Sequence, residues 1–110
     1  MNVTFTARHF RPHADVKQHA LDTVQKLGKF YDGIVTANVV LSYERATNSV
    51  KTAEINVHVY GTVLTAKVKS EDYRKSIDKA AEKLTLQLEK YKAKLRAKDK
   101  SRVRAIQDKV

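Results

Sequence analysis

Residues 70–96 read SEDYRKSIDKAAEKLTLQLEKYKAKLR, and the spacing of their apolar positions decides the architecture. At ~100° per residue, Tyr73, Ile77, Ala80, Ala81, Leu84, Leu88, Tyr91 and Leu95 fall within one arc of roughly 100°, the width of a core-facing stripe. The spacing predicts one long amphipathic helix, with Ser70 as its N-cap and Tyr73 at N3. Glu71 and Asp72 suit the positive end of its dipole, and the crowd of Lys and Arg suits the negative end. The rest of the circumference is sorted by sign: Lys75, Lys79, Lys83, Lys90 and Lys94 share one sector, and Glu71, Asp78, Glu82 and Glu89 share the sector beside it. A charged helix face is often merely solvated, but pairs placed for mutual support would interleave at i, i+4. Sorting therefore favours a basic rail built for a partner.

Upstream, Val3, Phe5 and Ala7 alternate with Asn2, Thr4 and Thr6, which predicts a half-buried first strand over Asn2 to Arg8. Pro12 breaks it, and from about His13 the spacing of Val16, Ala20, Val24, Leu27 and Tyr31 predicts a helix running to about Phe30. Lys26 and Lys29, with His19 near them, fall on its outward side. After Asp32-Gly33, Val35, Ala37, Val39, Leu41 and Tyr43 alternate with Thr36, Asn38, Val40, Ser42 and Glu44 as a second strand. A turn at residues 46–49 leads to a third strand, with Ala53, Ile55, Val57 and Val59 inward. Gly61-Thr62 connects it tightly to a fourth, with Leu64, Ala66 and Val68 inward. The opposite face carries Ser42, Glu44, Glu54, Asn56, His58, Thr65, Lys67 and Lys69, so one side of the sheet is wet.

The order β-α-β-β-β-α is that of an α+β domain: a four-stranded sheet with two helices packed side by side on one face, as in double-stranded-RNA-binding domains. Residues 1–96 form the domain, and residues 97–110 form a basic C-terminal tail or helix extension. With the helices adjacent, their outer surfaces are expected to form one continuous basic platform.

Composition narrows the partner. The chain of 110 residues carries 22 Lys and Arg against 12 Asp and Glu, a formal charge of +10, which points to a polyanion. The basic segment after Lys90 offers only Tyr91, Leu95 and Val103 as apolar anchors, too few for a membrane surface. No cysteine is present, and no apolar run resembles a signal peptide or a membrane span, so a cytoplasmic location is expected.

Signs of catalysis are missing. Gly28, Gly33 and Gly61 are scattered and precede no Lys-Ser or Lys-Thr pair, so no phosphate-cradling loop exists. His9 and His13 are separated by Pro12 and lack a completing carboxylate, which leaves metal binding unsupported. Serine and histidine form no triad signature. Tyr31, Tyr43, Tyr73 and Tyr91 sit in apolar register and read as core or core-edge residues. Tyr60 alone lies on the polar face. No enzyme, cofactor, metal or small-molecule substrate is expected.

The run from Ser70 to Arg96 resembles the second helix of the ribosome hibernation promoting factor family, also called ribosome-associated translation inhibitors or sigma-54 modulation proteins. Glu71, Asp72, Ile77, Asp78, Lys83, Leu84, Gln87, Leu88, Lys90, Lys92 and Lys94 stand where that pattern puts them. Thr6-Ala7-Arg8-His9, Val16-Lys17, Lys26-Leu27-Gly28-Lys29-Phe30 and Ala37-Asn38-Val39-Val40-Leu41 match as well, so the likeness covers residues 2–96. The resemblance implies a non-catalytic protein of the short type that occupies the messenger and transfer RNA channel of the small ribosomal subunit. There it would silence translation in stationary or stressed cells. It implies contacts to ribosomal RNA by Arg8, Lys17, Lys26, Lys29, Lys79, Lys83, Lys90 and Lys94. A second hibernation factor stays open as a further partner.

Two positions depart from the family pattern. Leu86 stands in the basic sector where an Arg is common, and Arg74 replaces a common aromatic. A general double-stranded-RNA binder and a protein-binding regulator are the alternative readings.

Overall fold

The computed structural model describes the backbone of residues 1–8, 10–44 and 50–108, and the side chains among them except residues 44 and 98–108. The elements are β1 (Asn2–Ala7), α1 (Ala14–Phe30), β2 (Thr36–Glu44), β3 (Val50–Val59), β4 (Thr62–Ser70) and α2 (Tyr73–Asp108). His9 and the expected turn at 46–49 lie outside the described residues.

The strands form one sheet in the order β1-β2-β3-β4. β1 and β2 are parallel, joined through α1, while β2, β3 and β4 pair antiparallel. Parallel neighbours need a crossover longer than a hairpin, and α1 supplies it. Gly61 makes the β3–β4 hairpin possible: its φ of +82° is one that side chains rarely tolerate. The sheet's apolar face, the α1 stripe of Ala20, Val24 and Leu27, and the α2 stripe of Ile77, Ala80, Leu84 and Leu88 close one core. Both helices therefore cover the same face, as the alternation of the strands requires.

Both ends of that core are closed by aromatic rings. At one end Phe10 stacks on Tyr73, with centroids 5.1 Å apart, and meets Tyr43 edge-on at 5.7 Å. The Tyr73 hydroxyl donates to the Ser42 carbonyl at 3.2 Å. At the other end Tyr31 and Tyr91 meet edge-on at 5.8 Å, and the Tyr91 hydroxyl donates to the Tyr60 carbonyl at 2.6 Å. Burial pushes the phenol pKa of Tyr73 above its ordinary value, with Tyr43 adding to the effect. Desolvation also raises that of Tyr91, assisted by Tyr31.

Several local expectations are corrected. The N-cap of α2 is Asp72 and not Ser70: its carboxylate accepts the Arg74 N–H at 2.9 Å. Ser70 acts one step earlier, its hydroxyl accepting the Asp72 N–H at 3.2 Å and lying 2.6 Å from the buried Ser76 hydroxyl. Ser76 in turn donates to the Lys51 carbonyl at 2.9 Å, tying the first turn of α2 to β3. β2 begins at Thr36, and Val35 before it is exposed rather than inward. Val40, on the wet face, is only 9% exposed. Its row runs Thr6, Val40, Glu54, Lys67, so neighbours on both sides shield it.

α2 does not stop near Arg96; its backbone stays helical through Asp108. Tyr91 is tied to the hairpin tip, so the last seventeen residues extend about 25 Å past the sheet.

Candidate nucleic-acid interface

The rotation of α2 about its axis fixes where its charges point. One flank faces α1: Arg74 Nη2 donates to Asp15 Oδ2 at 2.8 Å, and His19 Nε2 lies 2.7 Å from Asp78 Oδ1. Arg74 thus ties α2 to α1. Thr85 and Ala81 line the same interhelical groove with Asp78 and Glu82, opposite Thr23, Lys26, Leu27 and Phe30 of α1. The opposite flank faces β4, where Gln87 Nε2 donates to the Thr65 carbonyl at 3.0 Å.

At ~100° per residue, Lys79, Lys83, Lys90 and Lys94 project from the β4 side of α2. All four are exposed, and among the described residues none is held by an ion pair or a hydrogen bond. Leu86 emerges among them with 59% of its surface exposed. Lys75 differs from the others in the rail. Its ammonium donates to Glu71 at 3.0 Å, which raises the Lys75 pKa and lowers that of Glu71, with the hydrogen bond the largest cause in each.

The structure does not join the two helices into one basic platform. The acidic sector of α2 faces α1, so Asp78 and Glu82 stand between the β4-side lysines and the basic residues of α1. Lys26 lines the groove, and Lys29 is exposed on the outward side of α1. Lys17 stands over the Phe5 ring of β1, 5.9 Å from its centroid, at the other edge of the sheet. Arg8 follows β1, exposed, with its N–H bonded to the Leu41 carbonyl at 2.9 Å. The candidate residues are therefore separated: the α2 flank lies beside β4, Arg8 and Lys17 stand at the β1 edge, Lys29 faces outward on α1, and Lys26 lies in the groove between the helices.

His19, expected as an exposed polar residue, is instead half-buried and bridges the helices. The ammonium of Lys92, which matched only as part of a pattern, lies 4.8 Å from the Phe30 ring centroid, a cation–π contact between α2 and α1. Another feature appears at the β3–β4 hairpin, where Tyr60, expected on the polar face of the strand, instead stands in the turn after it and is 86% exposed, with Val63 of β4 47% exposed. The only sequence signal for it was an aromatic standing in the polar register. Among the described residues no group of three or more metal-capable side chains occurs. No described helix is long and apolar enough to cross a membrane.

Fold and surface together define a class: a small α+β domain that presents unpaired lysines along one rigid helix flank. Residues 3–96 match the sigma 54 modulation protein / S30EA ribosomal protein family, and the chain belongs to that family. It is similar to proteins named ribosome hibernation promoting factor. One, from Acidithiobacillus ferridurans, is 31% identical over 81 residues, covering 71% of this chain and all of that one. Another, from Pseudomonas putida, is 26% identical over 94 residues, covering 86% of this chain and 89% of that one.

Two solved structures share the fold. A ribosomal subunit interface protein from Coxiella burnetii aligns with a TM-score of 0.76 at 22% identity, covering 84% of this chain and 99% of that one. The N-terminal domain of Protein Y from Thermus thermophilus aligns at 0.69 with 24% identity, covering 83% and 99%.

Proposed function

We propose that this protein binds the small ribosomal subunit in the channel used by messenger and transfer RNA and so holds translation silent in stationary or stressed cells. It does so without catalysis, in the cytoplasm. The α2 flank of Lys79, Lys83, Lys90 and Lys94 contacts ribosomal RNA phosphates on one wall. Arg8, Lys17, Lys26 and Lys29 contact the facing wall. A plug in a narrow passage is touched from both sides, so separate basic groups divided by an acidic strip suit it as well as a single platform would. Phosphate contacts fix position and orientation without reading sequence, which is what occupancy of a fixed channel needs.

The observation that carries this reading is the row of unpaired lysines on one side of a helix anchored to the core, in a chain whose relatives are named for ribosome hibernation. The anchoring matters because a preorganised row loses little conformational freedom on binding. A combined Lys79→Glu, Lys83→Glu and Lys90→Glu variant is expected to fold normally and to lose co-sedimentation with purified small subunits at moderate salt. Retained co-sedimentation would contradict the proposal. Equal binding of the native protein to any RNA duplex would favour a general double-stranded-RNA binder instead.

A further inference from the structure

The lysines of both helices leave the open face of the sheet unused, and four neutral side chains cross it in a single row. The strand register sets Thr4 beside Asn38, Asn38 opposite Asn56 and Asn56 opposite Thr65. The Thr4 hydroxyl donates to the side-chain oxygen of Asn38 at 2.8 Å, and the Thr65 hydroxyl donates to that of Asn56, also at 2.8 Å. Each outer threonine thus holds the asparagine beside it. Among the described residues neither side-chain NH2 group has an acceptor. What the row offers a partner is therefore acceptor, donor, donor, acceptor, spread over about 14 Å at ~4.8 Å per strand.

Holding the sheet together does not call for this pattern. A threonine–asparagine bond supports only its own pair of strands. Asn38 and Asn56 stand opposite each other at the centre of the row, and among the described residues no hydrogen bond joins them. Their donors are nonetheless fixed, because each carboxamide is held through its oxygen. A fixed donor loses little freedom on binding.

The row carries no apolar or aromatic side chain, so it lacks both the anchor of a protein interface and the platform on which an unpaired base stacks. Charge favours RNA: Lys67 and Lys69 share this face with Glu54, the one carboxylate among its described side chains, and the chain as a whole carries +10. We propose that the row lies against the minor groove of an A-form RNA helix, where Asn38 and Asn56 donate to ribose 2′-hydroxyls and the Thr4 and Thr65 oxygens accept from them. That groove is wide and shallow, which short side chains on a sheet can follow, and a 2′-hydroxyl both donates and accepts. The inference rests on the RNA-binding reading above and adds to its phosphate contacts a neutral one that tells RNA from DNA.

The test uses the full chain labelled with nitrogen-15 and three twelve-base-pair duplexes of one sequence: RNA, 2′-O-methyl RNA and DNA. Each is expected to bind more weakly than the small subunit, because a short duplex meets one surface of the protein at a time. The side-chain NH2 resonances of Asn38 and Asn56 should move with the RNA duplex and stay in place with the other two. Asn38→Val with Asn56→Val removes the donors and keeps residues suited to strands. This double variant is expected to bind small subunits more weakly by roughly 5- to 150-fold, the range for two hydrogen bonds, with the slope of affinity against salt unchanged.

Asparagine side chains that stay in place while other resonances move with the RNA duplex would overturn the proposal, as would equal movement with the 2′-O-methyl or DNA duplex. So would a folded double variant that binds small subunits as the native protein does. If that variant loses small subunits while the RNA duplex leaves both side chains unmoved, the face touches ribosomal protein and the proposal is again overturned. Should the double variant not fold, the resonances of the native chain decide alone. Failure of the wider RNA reading looks different: no resonance would then move with any duplex, and the Lys79→Glu, Lys83→Glu, Lys90→Glu variant would bind small subunits undiminished.

Discussion

Neutralising Lys79, Lys83 and Lys90 together, each to Gln, tests the helix flank through the salt dependence of binding. Each lysine is exposed and, among the described residues, unpaired, so each is available for one phosphate. A phosphate contact on duplex RNA contributes about 0.9 to the slope of log affinity against log salt, by analogy with duplex DNA. Removing three should flatten the slope by about 2.7. Between 50 and 200 mM salt, the gap between native and variant affinities should then shrink by ~1.6 decades, about 40-fold. Binding of labelled protein to purified small subunits, titrated at several salt concentrations, reads this directly.

Folding should survive, because exposed positions without partners usually shift stability by less than about 0.5 kcal/mol each. Unchanged near-ultraviolet circular dichroism would check it. Lys75→Gln serves as the comparison and should change the slope less, because Glu71 already neutralises that ammonium at 3.0 Å. An unchanged slope in a folded triple variant would refute phosphate contact by this flank.

Other outcomes follow from the fold. Leu84 is fully buried where α2 meets the sheet, so Leu84→Ala should cost ~2–5 kcal/mol in urea unfolding. A loss under 1 kcal/mol would mean the site collapses around the gap. Asp72→Ala removes the cap of α2 and should cost about 1 kcal/mol; equal stability to the native protein would return that role to Ser70.

Tyr73 and Tyr91 should ionise above the ordinary phenol value of 10.0, and an absorbance titration should lose its most alkaline portion in the Tyr73→Phe and Tyr91→Phe variants. A raised pKa of an acid favours its neutral form in the fold. The stability from these two phenols is therefore full below pH 10 and falls as pH rises through their folded values. A native protein more stable at pH 11 than the double Phe variant, by the same margin as at pH 8, would contradict this.

Much of the architecture was legible because it depends on period alone. The apolar stripe of α2 from Tyr73 to Leu88 and the alternation in β2, β3 and β4 each name a buried face, and two helices and four strands with matching faces have few ways to close. The site was legible residue by residue but not in its arrangement. Periodicity places Lys79 and Asp78 in different sectors but does not say which sector turns toward α1. That choice is made by packing and by the His19–Asp78 and Arg74–Asp15 contacts, which join residues fifty-nine positions apart.

The cap failed for a related reason. Ser70 and Asp72 are both good capping types two positions apart, and only the bond from Ser70 to the Asp72 N–H decides which of them starts the helix. Val40 shows the limit of alternation in a sheet. Its register gives the face, while its burial comes from Thr6 and Glu54 on neighbouring strands.

The most direct test of the whole account is a structure of the protein bound to the small ribosomal subunit. The expected result has the ammonium groups of Lys79, Lys83, Lys90 and Lys94 within hydrogen-bonding distance of ribosomal RNA phosphates lining the messenger and transfer RNA channel. A complex in which that helix flank faces solvent or a ribosomal protein, or in which the domain sits outside the channel, would contradict it.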